Sequence, residues 1–215
     1  MNEIRFTINP PKAIAGPGRR RRTRAANPEV RQRLLRAANL LIQEHGYPRI
    51  RIEDIAEQAG VAVGTVYLYF QGKADLFAGL VAEQTERLLR EIAAAHAHPG
   101  DVTERMIRGL DAYLSFAEAN EKGFLYFRHG GTIDTDAGSL TAWALEQHAH
   151  ALLPLVQDAM DAGVMRRSDP MLVAQAILGA AQHIAGYWLE HKEAYSREEA
   201  RSFLFSFLSY GLARR

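Results

Sequence analysis

The sequence predicts an all-α protein of about nine helices, and three observations carry that expectation. Apolar residues recur at three- and four-residue spacings along most of the chain. Helix starts and stops are written at intervals: Asn27-Pro28, Gly46, Gly60, Pro99-Gly100, Asp101 with Glu104, Gly163, Asp169-Pro170, and Ser196 with Glu199. No stretch alternates apolar and polar residues convincingly enough to read as a strand.

Residues 1–26 precede the first helix and read as a flexible basic arm. Pro10-Pro11 and Gly16-Pro17-Gly18 discourage regular structure. Arg19, Arg20, Arg21, Arg22 and Arg24 repel one another. Such a run suits phosphates or a narrow minor groove, and it equally suits a solvated tail. Net charge is only +1, but it is unevenly placed. Residues 1–33 hold nine Lys/Arg against Glu3 and Glu29, leaving +7; the other 17 basic and 23 acidic residues leave −6. A basic end on a mildly acidic body points to a polyanion at one end and another task elsewhere.

Asn27 is a good N-cap, and Pro28 suits the first helical position. Val30, Leu34, Ala37, Ala38 and Leu41 give the inner stripe, and Gly46 the stop. Ile52, Ile55, Ala56 and Ala59 then lie on one face of a short helix. Gly60 breaks it, and Val63, Val66 and Phe70 restart the pattern. Two short helices joined by a tight glycine turn form a helix-turn-helix, whose second helix normally enters a DNA major groove. Spacing alone also fits a plain helical hairpin with exposed tyrosines.

The outward side of the second helix is uncharged from Val61 to Gln71. Gly64 and Leu68 point away from Val66, flanked by Thr65 and Tyr67. Small residues admit a DNA backbone, and hydroxyls donate to phosphates. Lys73, just beyond, is placed for a phosphate. The expected DNA-facing set is Arg51, Val63, Gly64, Thr65, Tyr67, Tyr69 and Lys73, with the arm arginines.

The block DIAEQAGVAVGTVYLYFQGKADLF resembles the DNA-binding signature of the TetR family of bacterial transcriptional regulators. The resemblance runs from about Glu29 to Leu80. It rests on Asp54-Ile55-Ala56, Ala59-Gly60-Val61, Gly64-Thr65-Val66-Tyr67, Tyr69-Phe70, Lys73 and Leu76-Phe77. It implies a three-helix DNA-binding domain over residues 27–75 and a helical ligand-binding and dimerisation domain over 76–215. It further implies a dimeric repressor of a palindromic operator, released by a small molecule. Family members usually carry Ser or Thr where Arg51 stands; Arg51 cannot cap the helix that follows, though its charge suits a phosphate.

A long helix is expected over residues 73–96, closed by Pro99-Gly100, and another from Asp101 to about Asn120. Residues 121–139 read as one helical turn and a loop. Helices follow over 140–162, with Pro154 kinking or breaking the run, over about 170–191, and from Ser196 to the end.

The last helix is apolar on more than one stripe, and Gly179, Ala180 and Gly186 on the helix before it permit close approach. With Phe203, Phe207 and Tyr210 they are the expected two-fold dimer interface. Phe116, Phe124, Phe127, Trp143, His183 and Tyr187 are candidate ligand-pocket residues, although aromatics at helical spacing are packing first. His96 with His98, and His148 with His150, stand two apart, which separates them on a helix and supports no metal site. No phosphate-binding loop, nucleophile elbow or zinc-hydrolase motif occurs, so no enzyme and no cofactor is expected. Zero Cys removes disulfides and thiolate chemistry, and no apolar run reaches membrane-spanning length. Both suit a cytoplasmic protein. The competing reading is a non-specific architectural DNA-binding protein, which the arginine run favours.

Overall fold

Nine α-helices, α1 to α9, occur among the residues described by the computed structural model, 27–129 and 137–212. The arginines of the N-terminal arm lie outside the described residues. The described residues contain no strand. They fall into two compact units.

The first unit comprises residues 27–86 and 137–144 of the described chain. Helix α1 spans Pro28–His45, and the Asn27 side chain accepts from the Glu29 N–H at 2.9 Å. Gly46 ends it at φ +80°, a backbone conformation that L side chains rarely adopt. A single 3-10 turn, Tyr47–Arg49, leads to α2 (Ile52–Gln58) and α3 (Val63–Tyr69). Gly60 supplies the turn between them at φ +64°. Leu34, Leu35, Ile42, Ile55, Val66, Phe70, Leu76 and Phe77 are buried and form the common core. The last two come from α4 (Lys73–His96), which continues into the second unit after Glu86. Trp143 and Leu140, at the start of α7 (Ala137–Asp161), pack on Ala78. This compact unit runs to Glu86, because the first turns of α4 are bound into its core.

The second unit holds residues 87–129 and the described part of 145–215. Helix α5 (Val102–Ala119) starts on an Asp101 cap, which accepts from the Glu104 N–H at 2.8 Å. Helix α6 (Glu121–Arg128) is two full turns where one was expected, and α7 begins three residues before the expected Leu140. Pro154 lies inside α7 without ending it. Gly163 closes that helix at φ +73°. Helix α8 (Pro170–Glu190) is capped by Asp169, and α9 (Arg197–Leu212) begins at the reciprocal bonds of Ser196 and Glu199. Helices α5, α8 and α9 pack on one another, with α6 against α8.

Candidate nucleic-acid interface and ligand cavity

The face of α3 opposite Val66 is open. Val66 is fully buried, whereas Tyr67 is 54% and Leu68 76% exposed. Gly64 is exposed, and a Cβ built on it would meet nothing within 4 Å. The fold of this chain therefore does not require glycine there, and the bare backbone is free for something outside it. Val63 and Thr65 are half-buried.

Tyr69 has a structural task as well. Its hydroxyl accepts from the backbone N–H of Asn27 at 3.0 Å, tying the end of α3 to the start of α1. An accepting phenol keeps its own O–H for a further partner.

Two expected phosphate ligands are engaged within the chain. The Lys73 ammonium donates to the Pro48 carbonyl at 3.2 Å and lies 4.4 Å from the Tyr47 ring centroid. Burial pushes its pKa below the usual lysine range. Arg51 pairs with Asp54 at 3.1 Å, and the Asp54 carboxylate also accepts from the Arg51 backbone N–H at 2.8 Å. Helix α2 is thus capped from its own first turn, and the arginine at the N-cap position takes nothing from the helix start. The hydrogen bond from Arg51 holds the Asp54 carboxyl below its ordinary pKa. The Arg51 side chain remains 72% exposed.

The second unit contains a narrow cavity of about 40 Å³. Its wall is apolar except for Tyr113 and His148, and includes Ile92, Leu110, Leu152 and Ile177. Both polar rings are buried. Burial pushes the Tyr113 hydroxyl above its ordinary pKa and His148 down to about 4. The Tyr113 and His148 rings meet edge-on with centroids 6.5 Å apart.

Phe116, Phe124, Trp143, His183 and Tyr187 are not on that wall. Phe116 and Phe124 stand behind it, their ring centroids 6.0 Å from His148 and 6.4 Å from Tyr113 respectively. The side chain of Phe127 lies outside the described residues. Trp143 belongs to the first unit, because the start of α7 packs there. His183 is exposed and meets Arg128, whose Nη1 donates to the His183 carbonyl at 3.2 Å. Tyr187 is exposed beside Tyr195 and Phe203. The cavity residues that pattern reading missed, Tyr113 and His148, had a signal. His148, Leu152, Leu155 and Val156 follow one another at helical spacing along an apolar stripe of α7. The two-residue spacing of His148 and His150 separates them on a helix. Those two do part company, with His148 buried and His150 3.9 Å from Glu146.

The expected dimer residues divide. Phe203 (56%), Phe207 (58%) and Tyr210 (88%) are exposed on α9, and Gly179 is exposed on α8. Ala180 is half-buried. Gly186 is a correction: it is buried beneath Arg128 of α6, and a Cβ there would lie 2.5 Å from Arg128 Cδ. Its small size serves a contact within the chain.

A helix-turn-helix with an open, uncharged second helix, joined to a helical unit that carries an internal apolar cavity, defines a DNA-binding regulator. Residues 34–80 match the family described as bacterial regulatory proteins, tetR family. The HTH-type transcriptional activator FasR of Mycolicibacterium smegmatis is 24% identical over 197 residues, covering 91% of this chain and 89% of that protein. The fatty acid degradation regulator FadR of Bacillus halodurans shares the fold at TM-score 0.72 and 24% identity, over 84% of this chain and 98% of that one. FadR of Bacillus subtilis, solved in complex with stearoyl-CoA, does so at TM-score 0.73 and 20% identity, with coverage of 84% and 98%. Residues 34–80 thus carry the DNA-binding domain of the tetR family of bacterial regulatory proteins, and the similar proteins are transcriptional regulators rather than enzymes. Among the described residues, no helix is long and apolar enough to cross a membrane, and no group of three or more His, Cys, Asp or Glu could hold a metal ion.

Proposed function

We propose that the chain acts in the bacterial cytoplasm as a homodimer that represses transcription from a two-fold operator and is released by an apolar small molecule. The observation that carries this reading is the open face of α3, where Gly64, Tyr67 and Leu68 are exposed and a Cβ at Gly64 would meet nothing within 4 Å. Thr65 and the tyrosines supply hydroxyls for phosphates, and Val63 and Leu68 supply apolar contact for thymine methyls. Arg51 and the arm arginines 19–22 and 24 add phosphate charge.

Two copies are required, because one seven-residue helix reads too few base pairs for specificity. A two-fold pair presents its recognition helices to successive major grooves about 34–36 Å apart. Exposed Phe203, Phe207 and Tyr210 on α9 suit such a pairing.

The cavity supplies the switch. At about 40 Å³ it has room for only a few water-sized groups, so a longer ligand must part the helices around it. A ligand that fits only the parted state shifts the equilibrium by its differential affinity, and the spacing of the recognition helices moves with it. The stearoyl-CoA held by Bacillus subtilis FadR supports a ligand with a long apolar portion.

A footprint on DNA flanking the gene tests the reading. The expected outcome is two-fold protection with dissociation constants of about 10⁻⁸ M or tighter, and a random-DNA affinity at least about 10³-fold weaker. Equal binding to all sequences would leave the architectural alternative in its place. A promoter assay on the same DNA reads the sign of regulation, and activation would overturn the repressor assignment.

A further inference from the structure

His148 is the one imidazole on the cavity wall among the described residues, and it is 4% exposed. Neither of its ring nitrogens has a hydrogen-bond partner among the described residues. A neutral imidazole carries one N–H donor and one bare acceptor nitrogen, and burying both unmet forfeits the hydration they had in water. Packing does not require this. Leu or Phe would fill the same space between Tyr113, Phe116 and Leu152 without that loss.

The rest of the wall restricts what can meet the ring. Among the described residues, no Asp, Glu, Lys or Arg lines the cavity. A charged ligand group drawn inside would have no fixed counter-charge, and burial already holds the imidazole neutral, at a pKa of about 4. A pure hydrocarbon would leave both nitrogens unmet. A hydroxyl satisfies the ring in either tautomer, donating to the bare nitrogen or accepting from the N–H.

We propose that His148 is the polar anchor of the ligand cavity, and that it selects an otherwise apolar ligand bearing an uncharged hydroxyl. The inference rests on the ligand-release reading above and narrows its ligand class. A saturated acyl chain alone is then a poorer effector than a hydroxylated molecule of the same size. The anchor also gives the buried polar group a reason to exist in a wall where every other described residue but Tyr113 is apolar or Gly.

The test uses the full chain with two isosteric probes, 1-decanol and undecane, in which a methyl replaces the hydroxyl. Imidazole ¹⁵N shifts in histidine-labelled protein report directly on the ring, and the His148→Phe variant assigns the signal. With 1-decanol the His148 resonances are expected to move, and with undecane to stay. His148→Phe should weaken 1-decanol about tenfold while leaving undecane unchanged or tighter. His148→Gln, which keeps a donor and an acceptor, should restore part of the preference for the alcohol. Binding of 1-decanol that leaves the His148 nitrogens unmoved, or equal 1-decanol affinity in wild type and His148→Phe, overturns the anchor and leaves the cavity reading standing. Failure of both probes to bind wild-type protein overturns the cavity reading itself, and the anchor with it. Should His148→Phe not fold, His148→Gln assigns the signal and the wild-type shifts decide.

Discussion

The Tyr69 hydroxyl accepts a hydrogen bond from the Asn27 backbone N–H at 3.0 Å. The last residue of the recognition helix is thereby bound to the residue at which the basic N-terminal segment joins the first helix. Tyr69→Phe should cost about 0.5–1.5 kcal/mol of stability. If the arm contributes phosphate contacts, the variant should also flatten the salt dependence of operator binding. Deleting residues 1–26 gives the reference, up to about 0.9 log units of slope per lost phosphate. An unaltered slope in the deletion would mean that the arm touches no DNA.

Thr65→Ala and Tyr67→Ala should weaken operator binding, by about 1–3 kcal/mol where a base contact is lost, with unfolding midpoints nearly unchanged. Tyr67 is 54% exposed and Val66 carries the packing of this helix, so the two effects are separable. Affinity equal to wild type in both variants would remove α3 from the groove.

Gly186→Ala should destabilise the second unit by about 1–3 kcal/mol, because the added methyl would lie 2.5 Å from Arg128 Cδ. Arg128 also lies 3.5 Å from Glu190, whose carboxylate is held below its ordinary pKa chiefly by the hydrogen bond from His129 at 2.5 Å. Combining Gly186→Ala with Arg128→Ala should recover part of the loss, and a double-mutant cycle in urea measures the coupling. Additive losses would show that Arg128 moves aside freely.

Phe207→Glu should convert the protein to monomers and lower operator affinity, since Phe203 and Phe207 stack at 6.2 Å on an exposed face of α9. Sedimentation equilibrium reads the mass directly. A persisting dimer would place the interface elsewhere.

Stability should fall as the solution is acidified from pH about 6.5 to about 4. Burial keeps His148 neutral in the folded protein, with its pKa pushed down to about 4, whereas the unfolded chain takes the proton near the ordinary histidine value. The unfolded state therefore binds more protons throughout that window, and the contribution is constant above it and below it. The loss from this group should approach about 3 kcal/mol at pH 4. His96, also lowered chiefly by burial, acts in the same direction. His148→Phe should shrink the slope when urea midpoints are compared at pH 7.5 and 5. An identical slope would show that His148 is hydrated in the folded state.

The amino-acid sequence by itself determined the helices and the open face of α3. Their signals are local: Asn27, Asp101 and Asp169 cap the helix that directly follows each, and Gly60 and Gly163 take the positive φ that ends a turn. Arg51 was legible only in part. Its inability to cap was plain, but the compensating Asp54 bond depends on how the first turn of α2 closes. Only the tertiary structure decided which side chains share a site. Lys73 reaches back to Pro48, Arg128 lies over Gly186, and Tyr113 meets His148, each pair brought together from distant parts of the chain. Helical periodicity says which face a residue occupies. It does not say which other helix that face meets, so Phe116 and Phe124 fell behind the cavity wall, Trp143, His183 and Tyr187 fell outside it, and the buried histidine on the wall was not singled out.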